Sequence, residues 1–253
     1  MNATWQEQLR RGHLNEALSA HLESSQPDEQ VTKLLEALSE LRAQLRAKAW
    51  TQAQRLADTL GPDTLGGAAL PNLSAEVAQL TASGKHLERG EAEAALELLE
   101  TVQLPLLQAE TETQRGTARV FLGDDEAAVS AFERATTLDP RHYRALTNLG
   151  NVRLEQGQVD EAVAHYQAAL KLNENFANAH HNLGVAYRRK GDISRSVTAI
   201  RRAQRVSKQH DREEARAVLK TLGGERRGKY IKWLLYGLAA AGVFLLLRAQ
   251  GIL

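Results

Sequence analysis

The 253-residue chain has no cysteine, which rules out a disulfide framework and thiol catalysis and leaves the redox compartment unmarked. Aromatic residues make up only 5% of it; alanine and leucine dominate instead, as closely packed helical repeats require. No glycine-rich loop stands where it could cradle a phosphate. The histidines (His13, His21, His86, His142, His165, His180, His181, His210) form no pair at metal-ligand spacing on one helical face. His180 and His181 are adjacent, so they diverge on a helix. These absences leave nothing that asks for a catalytic, cofactor-binding or metal site. Net charge is also small, at +1, but it is unevenly spread. The stretch Glu88–Asp139 is acid-rich and Arg201–Lys232 is basic. The first ten residues are polar, with no secretory apolar core.

What is present is a pattern that returns every 34 residues. Gly116, Gly150 and Gly184 hold one phase, and Gly123, Gly157 and Gly191 a second. Ala128, Ala162 and Ser196 hold a third, Phe132, Tyr166 and Ile200 a fourth, and Ala135, Ala169 and Ala203 a fifth. A period of this length predicts a solenoid, because each unit must stack on its neighbours to bury its apolar face. The first glycine of a unit lets a second helix approach closely, and the second glycine ends the first helix in left-handed geometry. The alanine is the contact point of the second helix, the large residue is its wedge, and Pro140 stops the chain from continuing as helix. Gly116, Gly150, Gly184, Ala128, Ala162 and Ala169 are therefore the expected packing residues.

The segment LTNLGNVRLEQGQVDEAVAHYQAALKLNE, Leu146–Glu174, carries the pattern most fully. It resembles a tetratricopeptide repeat, and the resemblance extends over roughly Thr111–Ser207. Glu112, Leu146 and His180 depart from the family's tryptophan, and Glu174 and Lys208 from its proline. The resemblance implies an all-α fold, a right-handed helical solenoid whose concave groove is lined by the first helix of each hairpin. Upstream, Gly90 with Ala95 and Leu99, Lys48 with Ala53, and Gly12 with Ala17 repeat the spacing in degenerate form. The expected organisation is degenerate repeats over 1–60, which could form a separate subdomain, and a linker or long loop over 61–73. The repeat solenoid follows over 74–207, then a capping helix over 208–222 and a basic linker over 223–229.

Trp233–Leu247 contains no charged residue. Its about 15 residues reach the roughly 20 needed to span a bilayer if Lys232 and Arg248 snorkel. Trp233 and Tyr236 sit at one edge, where amphipathic rings favour the interface, and Leu247 closes the other. A helix apolar on every face suits lipid better than packing on a solenoid, so 230–250 is expected to be a single C-terminal transmembrane helix. Arg226, Arg227, Lys229 and Lys232 precede the run and only Arg248 follows it, which keeps the solenoid on the cytoplasmic side. The excess of arginine over lysine points to a bacterial inner membrane. Beside such a span the basic stretch reads as a juxtamembrane electrostatic element rather than a nucleic-acid site.

The groove positions expected from the repeat phase are Arg144, Thr147, Asn151 and Leu154, then Asn178, His181, Asn182, Val185 and Arg188. Some members of the family grip a partner's terminal carboxylate with lysine, asparagine and arginine. Asn151, Asn182, Arg212 and Arg216 match that pattern, whereas Thr147 does not; both asparagines also belong to the plain repeat. The resemblance thus implies a protein or peptide partner in the groove and a bilayer at the C-terminal helix, with no small-molecule substrate. Two roles remain open. One is a membrane-tethered adaptor, the other a structural or assembly subunit of a membrane complex held partly through its span.

Overall fold

The computed structural model describes residues 4–60 and 70–222. The described residues are all-α, a solenoid of six helical hairpins. They are α1/α2 (Trp5–Arg10 and Leu14–Leu22), α3/α4 (Glu29–Arg46 and Trp50–Thr59) and α5/α6 (Leu73–Glu88 and Ala92–Glu100). After a 3-10 turn at Pro105–Leu107 come α7/α8 (Gln108–Phe121 and Asp125–Leu138), α9/α10 (Tyr143–Glu155 and Val159–Leu172) and α11/α12 (Ala177–Arg189 and Ile193–Leu222). The chain divides into two compact units, Met1–Ile200 and Arg201–Leu253.

One backbone device closes all six hairpins. Each first helix ends on a residue with positive φ: Gly12, Lys48, Gly90, Gly123, Gly157 and Gly191. That residue's N–H bonds the carbonyl three residues back, and the next N–H bonds the carbonyl five back. Gly157 thus donates to Leu154 O at 3.1 Å and Gln158 to Arg153 O at 2.8 Å. Together these bonds satisfy the orphan carbonyls of the helix end. Lys48 makes the same pair of bonds at φ 58°, although an L side chain in this region costs roughly 1–2 kcal/mol.

Within each repeat the large residue of the second helix sits against the glycine of the first. A Cβ on Gly116 would lie 2.6 Å from the Phe132 ring, one on Gly150 2.7 Å from Tyr166, and one on Gly184 2.6 Å from Ile200. Only glycine leaves room for these wedges. Ala128, Ala162 and Ala169 are fully buried. Ser196, which replaces the alanine of its phase, is buried too, and its hydroxyl donates to Gly184 O at 2.7 Å. Glu112, in the family's tryptophan position, is also buried and is held by Arg134 at 2.7 Å and by Arg115.

A separate N-terminal subdomain is not seen. Leu9, Leu14, Leu34, Leu35, Leu38, Leu41 and Leu45 share one apolar core with Leu73, Val77 and Leu80 of α5 and with Leu99, Leu104, Leu106 and Leu107. A second difference lies at the other end. The break expected at 207/208, between repeat helix and capping helix, does not occur, and α12 runs unbroken from Ile193 to Leu222. No glycine or proline interrupts that stretch, so nothing local stops the helix. Ala215, within the expected capping helix 208–222, is exposed. Among the described residues no helix is long and apolar enough to cross a membrane. The expected span 230–250 with Trp233, Tyr236 and Leu247, the basic linker 223–229 and most of 61–73 lie outside the described residues.

Candidate functional site

The first helices α7, α9 and α11 present equivalent positions one repeat apart, and these form rows across the face expected to bind. One row is Glu110, Arg144 and Asn178; the next is Thr113, Thr147 and His181. The first two members of each row are buried, whereas Asn178 and His181 are exposed. The C-terminal end of α3 is what meets the buried part. Arg144 Nη1 donates to the carbonyl oxygens of Arg46 and Leu45 at 3.2 and 3.4 Å, and Tyr143 Oη donates to Arg46 O at 3.2 Å. Arg46 and Arg42 in turn hold the buried carboxylate of Asp139 at 2.9 and 3.4 Å. A cation on the last carbonyls of a helix is favoured by the helix dipole, so α3 is fixed by its own end.

Glu110 lies beneath this contact, 4% exposed. His142 caps α9: its Nδ1 accepts from the Ala145 N–H at 3.2 Å, which places the ring proton on Nε2. That nitrogen donates to Glu110 Oε2 at 3.1 Å, Gln114 donates to Oε1 at 3.1 Å, and Arg144 stands 3.6 Å away. Burial pushes the Glu110 carboxyl up, but Arg144 and the His142 bond outweigh it and hold the group below the ordinary carboxylate range. Burial likewise opposes ionisation of Asp139, and Arg42 and Arg46 overcome it. This cluster is a structural clasp, since each charge in it has a partner within the chain.

Further along the same helices the face is open. Two asparagine bonds tie successive repeats: Asn148 Nδ2 donates to Thr117 Oγ1 at 3.3 Å, and Asn182 Nδ2 to Asn151 Oδ1 at 2.7 Å. Tyr166 Oη also donates to Asn151 Oδ1, at 2.9 Å. Beside them lies a cavity of about 190 Å³ lined by Thr117, Val120, Phe132, Asn148, Asn151 and Val152, with Asp125 and Glu155 also on its wall. At this end of α7, Val120 is 42% and Phe121 56% exposed.

The expected groove residues therefore divide. Arg144, Thr147 and Leu154 are buried, and the Thr147 hydroxyl donates to Tyr143 O at 2.9 Å; Arg144 is bonded to the end of α3, and neither it nor Thr147 is open to a peptide. Asn151 and Asn182 come together, bonded to each other, which occupies the Asn151 oxygen and one Asn182 proton. Val185 is half-buried, and Asn178, His181 and Arg188 are open to water. Arg212 and Arg216 are exposed on α12 within the second unit. Phe121 and Val120 were missed, although the run Val120–Leu122 directly before Gly123 is visible in the sequence as an apolar helix end. Among the described residues no His, Cys, Asp or Glu cluster could hold a metal ion.

Family models described as tetratricopeptide repeat match residues 113–142, 131–164 and 177–210, and one described as TPR repeat matches 150–191. Residues 113–210 carry tetratricopeptide repeats. Among solved structures, one titled "Crystal structure of MamA" aligns at 19% identity and a TM-score of 0.45, covering 83% of this chain and 98% of that one. Another MamA crystal structure aligns at 20% identity and a TM-score of 0.44, covering 73% and 95%. Comparison with curated proteins gives no match. Upstream of the matched residues, the hairpin turns at Gly90, Lys48 and Gly12 have the same backbone as those at Gly123, Gly157 and Gly191.

Proposed function

We propose that this chain is a protein-interaction scaffold tethered to a membrane by its C-terminal apolar segment, with the repeats on the cytoplasmic side. The tetratricopeptide repeats support the scaffold role. The observation that carries the binding face is the open end of α7: exposed Phe121 and Val120, the latter lining a cavity shared by Phe132 and Val152 with asparagine and carboxylate groups. Apolar side chains of a partner segment would enter the cavity, and its backbone would meet the free donors of Asn148 and Asn151. Asn178, His181 and Arg188 extend the surface across α11. The tether rests on the sequence of Trp233–Leu247 and on the cations before it.

A photo-crosslinking amino acid at position 121 of the full-length chain, in its native cell, tests the face. Discrete adducts are expected there, lost when Asn148 and Asn151 are replaced by leucine, whereas the same probe at exposed Glu97 on α6 should give none. Equal adducts at both positions would remove this face as the binding site.

A further inference from the structure

The second unit carries a row of cations with no counterpart elsewhere among the described residues. Arg201, Arg205, Lys208, Arg212 and Arg216 follow one another at intervals of four, three, four and four residues on α12. At about 100° per residue they fall within a sector roughly 80° wide, and at about 1.5 Å per residue the row is roughly 22 Å long. All five are exposed. Asp211 and Glu213 lie about 60° outside the sector, and Glu213 borders the same surface as the five cations. Glu213 is engaged instead by Gln209, at 3.0 Å. None of the five cations has an ion pair among the described residues. In the first unit, by contrast, Arg11, Arg134, Arg153 and Arg189 each face a carboxylate. Like charges four apart on a helix repel, and no ion pair among the described residues holds these five cations. An external anion would offset that repulsion.

The geometry of the anion follows from the shape of the row. A straight, one-sided line of cations with no aromatic among them suits a plane of charge better than a groove or stacked bases. The sequence supplies the plane. After α12 come Arg226, Arg227, Lys229 and Lys232 and then the uncharged Trp233–Leu247, so the row precedes the segment proposed above as the anchor. We propose that the Arg201–Arg216 face of α12 docks on the anionic lipid headgroups of the membrane that holds the anchor. The inference rests on the anchor reading above and deepens it. The row would hold α12 against the bilayer by charge, and Arg212 and Arg216 would serve lipid rather than a peptide carboxylate.

The absence of cysteine makes the test direct. Gln209→Cys, beside the row, is labelled with a fluorophore in the full-length chain. The chain is reconstituted into vesicles of phosphatidylcholine alone or with phosphatidylglycerol, each doped with headgroup-spin-labelled lipid. Retention on neutral vesicles after alkaline carbonate reads the anchor; quenching of the fluorophore reads the row. Quenching is expected to rise severalfold with phosphatidylglycerol. It should fall back to the neutral level in high salt, in Arg205→Glu/Lys208→Glu/Arg212→Glu, and in the milder triple glutamine variant. Equal quenching in both vesicles, or no effect of either triple variant, overturns the proposal. If carbonate strips the chain, the anchor reading fails alone. The row is then judged by salt-sensitive flotation with phosphatidylglycerol vesicles, which the triple variants must lose. RNA binding at physiological salt that displaces the chain from those vesicles would assign the row to nucleic acid instead.

Discussion

Arg144→Met is the sharpest probe of the clasp between α3 and the repeats. It removes the guanidinium that stands 3.6 Å from Glu110 and bonds two carbonyl oxygens of α3. Glu110, almost fully buried, would keep its charge with only the His142 and Gln114 bonds. Removing one member of a buried pair costs about 3–5 kcal/mol. The two carbonyl bonds are long, so their loss adds at most about 1 kcal/mol. Glu110→Gln should cost less, about 1–3 kcal/mol, because the amide still bonds His142. The double variant should be more stable than the sum of the singles predicts, by about 0.5–3 kcal/mol. Urea unfolding of the full-length chain in mild detergent, followed by circular dichroism, measures all four corners. The parent adds a pH arm. The Glu110 pKa is lowered in the fold, so its contribution is complete above the ordinary carboxylate value and is lost as pH falls through the lowered one. The stability gap between parent and Glu110→Gln should therefore narrow in acid. Costs that simply add, or a gap that widens in acid, would refute the clasp as drawn.

Further outcomes are expected. Gly150→Leu should cost about 1–3 kcal/mol by driving a side chain into the Tyr166 ring, and Ala162→Arg more, by burying an unpaired charge; both are read by thermal unfolding. Lys48→Gly should stabilise by about 0.5–1 kcal/mol, because it relieves left-handed geometry at a residue with φ 58°, and an unchanged melting temperature would place the strain elsewhere. Phe121→Asp should leave the melting temperature almost unmoved, since the ring is 56% exposed, while abolishing crosslinks from a probe at the neighbouring Val120. The full-length chain should sediment with native membranes through high salt and alkaline carbonate, and release by salt alone would leave only a peripheral basic surface.

The repeat core was legible because its constraints are local and recur. A glycine facing a large residue 16 positions on, and a positive-φ turn seven residues after that glycine, need only one hairpin to be understood. The Lys48 turn was traceable only by spacing, as lysine carries no preference for that conformation. The closure of the face by α3 was not legible. It joins residues almost one hundred positions apart, such as Arg46 with Asp139 and Arg144 with Leu45, and no periodicity reports a contact of that range. The repeat phase assigns Arg144 and Thr147 to the groove and so predicts them open. The phase was a statement about the helix, whereas exposure depends on what packs over it. The unbroken α12 escaped for a different reason: one amphipathic pattern was divided in two because the family's unit length ends near Ser207.

The clasp also bears on where a partner can sit. The row Glu110–Arg144–Asn178 is closed at Arg144 by a helix end of this same chain, and Glu110, Thr113 and Thr147 are buried as well. A partner segment running along the first helices would meet α3 at the N-terminal half of α9. Access is left to the C-terminal ends of α7 and α9 and to α11. That limits the free surface to Val120, Phe121, the asparagine pair bonds and the open positions Asn178, His181 and Arg188. The apolar part lies on α7 and the polar part on α11, so a segment laid across them must carry its apolar anchor at one end and its polar groups toward the other. Displacing α3 would open the rest, but only by exposing the charge of Glu110 and Asp139 together with their arginines, a cost of several kcal/mol. If the proposed binding face is the right one, its partner is a short segment that fits the open end.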